Sequence, residues 1–180
     1  MSMLGISFLN EIVIKDNTLQ SNEILNKLRK RVKTTLKQEG KFDETKDGMD
    51  ISLVVIDTKF KKIQFAGAHN QLFFMQNEEI QSYKGDRMPI GIYFKEKESF
   101  TNHEFTYNSG DSIYLFSDGY PDQFRGNDKQ RFGLNRFKKL LLSINNLPMN
   151  EQHKQISYTI ERWMVDSVQI DDMVILGLRL

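Results

Sequence analysis

A chain of 180 residues with 39% hydrophobic and 27% charged residues is long enough for one domain with a real core and reads as an ordinary soluble protein. Its formal net charge of +1 gives no argument for nucleic acid or an acidic surface as an obligate partner. It has no cysteine, which excludes disulfides, thiolate metal sites and cysteine nucleophiles and fits a reducing compartment.

No apolar run approaches the ~20 residues that a membrane span requires. Met1 to Ile14 is apolar, but it lacks the leading positive charge and the small-residue cleavage site of a signal sequence. Met3, Leu4, Ile6, Phe8, Leu9, Ile12 and Val13 predict a helix that is apolar nearly all round and therefore buried on most sides. That helix starts without a capping residue or a turn. It reads as the middle of something larger, a fragment or a start placed too late. After a turn at Asn17 to Gln20, a second helix is predicted from about Ser21 to Gln38. Ile24, Leu28, Val32 and Leu36 form its stripe, with Leu25 beside them, and Gly40 ends it. Its other face carries Lys27, Arg29, Lys30, Arg31, Lys33 and Lys37. Such a face is either solvated or a docking surface for an acidic partner or nucleic acid. No aromatic is interleaved to stack on bases, which weakens the nucleic-acid option.

From Asp50 the period changes to that of strands. Ile51 to Ile56 is apolar on both faces, and Asp57 to Lys61 turns the chain into Ile63-Gln64-Phe65. The small residues of Ala66-Gly67-Ala68-His69-Asn70 interrupt. Leu72 to Met75 and Ile80 to Tyr83 flank a turn at Asn77-Glu78-Glu79. Met88 to Ile92 is a rigid loop, and Phe100 to Tyr107 a strand. Gly110-Asp111 then leads into Ser112 to Phe116, which ends in Ser117-Asp118-Gly119. A polar loop, Pro121 to Arg131, contains Gly126, Asn127 and Asp128; loops of that length beside a candidate site are often functional. Two helices follow. One has a stripe of Leu134, Phe137, Leu140, Leu141 and Ile144. The other has Met149, His153, Ile156, Ile160, Trp163 and Met164, and Pro148 opens it. Asp171 to Leu180 is the last strand. The order gives an α+β or layered α/β architecture with helices covering sheets.

Asp118 follows one apolar strand and Asp171-Asp172 precedes another. If these strands are neighbours, Asp118 and Asp171 face one site. Carboxylates at strand ends, without cysteine and with few histidines, suit hard ions such as Mg2+ or Mn2+. Two such ions can hold a water, lower its pKa and aim it at phosphorus. The bland reading stays beside this one: acids at strand ends also simply terminate strands. His69 is either a turn histidine or a substrate-facing residue. His103 reads as exposed and His153 as packed. Asp47-Gly48-Met49-Asp50 is either a turn or a segment that brings Asp50 beside the site. No phosphate-binding loop, dinucleotide fingerprint or serine-nucleophile elbow is present.

Several motifs occur in a fixed order: Asp47-Gly48-Met49-Asp50 through Asp57, Ala66 to Asn70, Met88-Pro89-Ile90-Gly91, Gly110-Asp111 through Ser117-Asp118-Gly119, and Asp171-Asp172-Met173. The ordered set, spanning essentially the whole chain, resembles the bacterial PPM-type (PP2C-like) serine/threonine phosphatases of the stage II sporulation protein E class. The resemblance implies an α+β fold with two antiparallel sheets in a sandwich flanked by helices, α-β-β-α. It implies that residues 1–180 are the C-terminal portion of a single PPM-type domain. It also implies a phosphoprotein phosphatase dependent on two Mn2+ or Mg2+ ions, often the cytoplasmic output domain of a larger signalling protein with sensor domains. Substrates in the family are phosphoserine or phosphothreonine proteins, including anti-sigma-factor antagonists.

Carried over by position, Asp118 matches the metal-binding acid of the family's Ser-Asp-Gly motif, and Asp171 the ligand at the start of the last strand. Asp172 stands next to it as a further candidate ligand. Catalysis would run through a metal-held water on Asp118 and Asp171, with Gly119, Asp47, Asp50, His69 and Asn70 lining the site. Val174 departs from a common threonine. In relatives an Asp-Gly metal motif and two early strands precede a helix like Met1 to Ile14. The acid expected to bridge both ions is therefore expected to be missing here, turnover to be poor even with manganese, and a sheet edge to be left open. The alternatives are a non-catalytic PPM-like module that binds a partner protein, and a plain structural domain.

Overall fold

The recurrence of Ile24, Leu28 and Val32 at every fourth position becomes a helix in the computed structural model of the protein, which describes residues 1–38, 47–126, 130–165 and 167–180. In chain order the elements begin with α1 (Ser2–Asn10), continued by a π-helical turn (Glu11–Lys15), and α2 (Ser21–Thr35). Strands follow: β1 (Ile51–Asp57), β2 (Lys62–Ala68), β3 (Leu72–Gln76), β4 (Glu79–Tyr83), β5 (His103–Thr106) and β6 (Ser112–Phe116). Then come α3 (Gly119–Asp122), the short strands β7 (Phe124–Arg125) and β8 (Gln130–Arg131), α4 (Leu134–Ile144), α5 (Met149–Trp163) and β9 (Ile175–Arg179). Helices and antiparallel strand pairs make this an α+β fold. The chain packs as two units, each with its own core: Met1–Leu72 with Tyr83–Tyr107, and Phe73–Ser82 with Asn108–Leu180.

In the first unit β1, β2 and β5 form an antiparallel sheet in the order β1-β2-β5, with Ile51 opposite Ala68 and Ile63 opposite Phe105. Asp57 makes the first turn. Its Oδ1 accepts the backbone N–H groups of Lys59 and Phe60 at 2.9 and 3.0 Å, and Lys61 closes the turn in the left-handed region at φ 50°. The small run Ala66-Gly67-Ala68 does not interrupt the strand as expected; β2 runs through it. Small side chains let other backbone approach there. A Cβ on Gly67 would lie 3.0 Å from Gly85 Cα, and Asp86 N–H bonds Gly67 O at 2.8 Å.

Ile24, Leu25, Leu28 and Val32 of α2 bury against Ala66, Ala68, Met88, Ile90 and Phe100. The helix stops earlier than expected, at Thr35. Lys37 turns left-handed at φ 52°, and Gln38 N–H returns to Lys33 O at 2.9 Å. The expected stop at Gly40 lies outside the described residues. The N-terminal helix exists, but it is not buried on most sides. Gly5 and Ile12 are enclosed, whereas Met3, Ile6 and Ile14 are exposed. The first unit's core covers only one side of that helix, so an all-round apolar sequence leaves an apolar face in water.

The second unit is built on a sheet in the order β4-β3-β6-β9. β6 and β9 are antiparallel, with Ser112 opposite Arg179 and Phe116 opposite Ile175. α4 and α5 bury Phe137, Leu141, Ile144, Ile156 and Ile160 with Phe73, Met75, Tyr114 and Phe116 of the sheet. Pro148 sits at the N-cap of α5, where its missing N–H costs nothing. The segment expected as a polar loop holds α3 and the β7–β8 pair; Asn127 and Asp128 lie outside the described residues. The last strand starts at Ile175 rather than Asp171, because Asp171 and Asp172 belong to the approach to it.

Candidate functional site

The candidate site lies where β6 ends. Ile113 to Phe116 anchor that strand in the core, so the residues after Phe116 emerge at its rim. Antiparallel pairing with β9 brings the segment before Ile175 alongside. Ser117 locks the two together. Its N–H donates to Val174 O at 3.0 Å, its hydroxyl donates to Asp172 O at 2.7 Å, and the same oxygen accepts Val174 N–H at 3.0 Å. Gly119 completes the junction. A Cβ there would lie 2.9 Å from the Asp172 carbonyl carbon and 3.3 Å from Asp171 O, so only glycine fits without displacing backbone. Asp118 stands between these two residues as the N-cap of α3, and its carbonyl accepts Asp122 N–H at 2.9 Å.

The carboxylates at this junction are exposed, and none forms an ion pair with a described lysine or arginine. Asp171 Oδ1 accepts Asp172 N–H at 2.7 Å, which fixes its rotamer and leaves its second oxygen free. Gln169 Nε2 donates to Asp171 O at 2.8 Å, holding the same bend. The donors are hard oxygens on a backbone tied down from both strands, which is the chemistry Mg2+ and Mn2+ take. Their number is small. Among the described residues no three His, Asp or Glu side chains gather into a metal cage. The residues present fit a divalent ion in donor type and supply part of a coordination sphere.

The other expected site residues lie in the first unit. Asp50 and His69 do come together there, with His69 Nδ1 2.8 Å from Asp50 Oδ1. His69 is left-handed at φ 58°, and its N–H bonds Asp86 O at 2.8 Å. Asn70 N–H bonds Ala68 O at 2.7 Å. Asp47 is exposed, and its carbonyl accepts Gln38 Nε2 at 2.7 Å. His103 is half-buried rather than exposed, stacked on Phe65 at 5.8 Å. His153 is exposed rather than packed, and its neighbour Gln152 is buried instead.

Two further residues matter that sequence patterning does not single out. Ser117 was legible as part of a motif but not as the clamp between strands. Asp86 carried no sequence signal, yet it is buried and organises the loop after β4. Its Oδ1 accepts Lys97 Nζ at 2.6 Å and the Thr101 hydroxyl at 3.0 Å, while Oδ2 accepts Thr101 N–H at 2.6 Å. Burial pushes this carboxyl up, but Lys97 and Thr101 outweigh it and hold the group below the usual carboxylate range.

The family of Stage II sporulation protein E (SpoIIE) matches residues 1–180, the whole chain. The chain belongs to the SpoIIE family. Solved structures agree. The SiaA PP2C domain of Pseudomonas aeruginosa is 27% identical with a TM-score of 0.86, over 99% of this chain and 68% of that one. The PP2C phosphatase domain with a regulatory fragment of SpoIIE from Bacillus subtilis is 15% identical with a TM-score of 0.68, over 97% and 49%. The catalytic domain of the serine/threonine phosphatase PstP, solved with two manganese ions, is 13% identical with a TM-score of 0.63, over 98% and 78%. These likenesses give this SpoIIE-family chain the PP2C phosphatase-domain fold. The chain spans about half the length of the Bacillus subtilis SpoIIE chain it matches. A search of the curated proteins returned no match. Among the described residues no helix is long and apolar enough to cross a membrane.

Proposed function

We propose that this SpoIIE-family chain is part of a cytoplasmic, metal-dependent phosphatase that removes phosphate from phosphoserine or phosphothreonine on a signalling protein, of which an anti-sigma-factor antagonist is one candidate. The observation that carries the reading is the junction of β6 with the approach to β9, where Ser117 and Gly119 hold Asp118 beside Asp171-Asp172. Asp118 and Asp171 would hold Mn2+ or Mg2+, with Asp172 as a further candidate ligand. Such an ion, when bound, would supply positive charge and a water of lowered pKa for attack on phosphorus. The protein's own part is positional. The Ser117 clamp fixes the spacing of the two acid-bearing segments, and the Asp172 N–H fixes the rotamer of Asp171. The exposed rim leaves room for a phosphorylated side chain to approach.

Equilibrium Mn2+ titration of the chain and of Asp118→Asn, followed by hydrolysis of a phosphoserine peptide, tests this. Wild type should bind manganese weakly, because the described donors fill only part of a coordination sphere, and Asp118→Asn should lose that binding with no change in thermal stability. Equal manganese affinity in both proteins would defeat the assignment of Asp118. The alternative reading is a non-catalytic module that binds a partner. Measurable turnover that Asp118→Asn removes would decide against that alternative.

A further inference from the structure

The basic face of α2 contains one residue that does not belong on a solvated surface. Arg29 is only 8% exposed. Its Nη1 donates to Met88 Sδ at 2.9 Å, its Nη2 donates to Glu98 O at 2.9 Å, and its guanidinium lies 5.1 Å over the Phe100 ring. All three partners are uncharged, and no described carboxylate pairs with it. A buried cation without a counter-charge is costly, and the cost falls when an anion arrives. Arg29 lines an open cleft of about 580 Å3, together with Asn26, Lys30, Lys33, Lys37 and Glu98. Lys33 is held by Glu96 at 2.9 Å, but Lys30 and Lys37 are exposed and pair with no described acid. Among the described residues, the cleft therefore carries more positive charge than the acids beside it neutralise.

We propose that this cleft binds an acidic segment of a protein partner. Asn26, Arg29, Lys30 and Lys33 follow one face of α2 for about two turns, roughly 10 Å at 1.5 Å per residue, and Lys37 extends the row. A row of that length matches about three residues of extended chain, whereas a single small anion would engage one turn. Nucleic acid fits less well. Among the described residues no aromatic lines the cleft, and Phe100 is buried beneath Arg29, so none of them offers a base a ring to stack on. The inference is independent of the phosphatase reading, since none of its residues belongs to the β6–β9 junction.

The test is fluorescence anisotropy of a labelled decapeptide rich in Asp and Glu, titrated with the full chain at low salt. The Asn/Gln counterpart of the peptide and a single-stranded oligonucleotide serve as competitors. The acidic peptide should bind, should weaken as salt rises, and should lose roughly tenfold or more in affinity to the double variant Lys30→Glu/Lys37→Glu. Both substituted residues are exposed, so the variant's melting temperature should match wild type, and Asp118→Asn should bind the peptide as wild type does. No binding, equal binding of the uncharged peptide, an unchanged affinity in the double variant, loss of binding in Asp118→Asn, or preferential capture of the oligonucleotide would each overturn the proposal.

Discussion

At the scale of single residues, backbone proximity decides more than side-chain identity. Gly119 looks like an ordinary turn glycine, yet the carbonyl groups of Asp171 and Asp172 occupy the space where its Cβ would lie. Gly119→Ala should destabilise the chain by about 1–3 kcal/mol through the shift it forces, and should weaken manganese binding because the acids move with that backbone. Denaturant melts and a manganese titration check both outcomes. Asp86 behaves differently, since its effect is electrostatic. Its folded pKa is held below the unfolded value of 3.8 by Lys97 and Thr101, against the upward push of burial. The unfolded chain therefore binds the proton first. The stabilisation is complete above the unfolded pKa and disappears as pH falls through the folded one. Urea melts between pH 2 and 6 should show wild-type stability falling below about pH 4, with a shallower fall in Asp86→Asn. Parallel slopes in the two proteins would remove Asp86 from the account. Because Lys97 is mostly exposed, solvent screens its part of the effect.

At the scale of elements, α5 shows how a helix is attached by one polar residue. Gln152 is buried, its Oε1 accepts the Tyr114 hydroxyl at 2.7 Å, and its Nε2 donates to Asn145 O at 3.1 Å and Leu147 O at 3.0 Å. One amide thus ties β6, the end of α4 and the start of α5. Burial raises the Tyr114 pKa, which keeps its hydroxyl protonated as the donor. Tyr114→Phe should cost about 1–2 kcal/mol, because Gln152 Oε1 is left buried without a donor. A midpoint unchanged in urea would show that water replaces the bond. The apolar spacing of α5 puts His153 on its stripe, one position away from the buried Gln152. Periodicity finds the face of a helix, but it does not assign a polar residue at the edge of that face, where a neighbouring hydroxyl makes the choice.

At the scale of the whole molecule, each unit keeps a separate apolar cluster, and the sheet of the second ends on β9. Leu176 and Leu178 on that outer strand, and Val174 just before it, are 61%, 43% and 60% exposed. An apolar row on an edge strand is a template for association. The chain should therefore self-associate in concentration-dependent light scattering, and Leu176→Lys with Leu178→Lys should reduce association without lowering stability. A monodisperse monomer at high concentration would contradict this.

The sequence by itself determined the class of fold, the positions of most strands and helices, and the family, because alternation, four-residue spacing and ordered motifs are properties of neighbours along the chain. It also placed Asp118 just after one strand and Asp171 ahead of the last, although β9 begins only at Ile175. Tertiary structure decided what depends on distant segments meeting. It made β6 and β9 partners, gave Ser117 its clamp, excluded a side chain at Gly119, and enclosed Asp86 and Arg29 while leaving Met3 and Ile6 in water. Whether a residue is buried depends on what packs over it, and in this chain the covering segments come from far along the sequence.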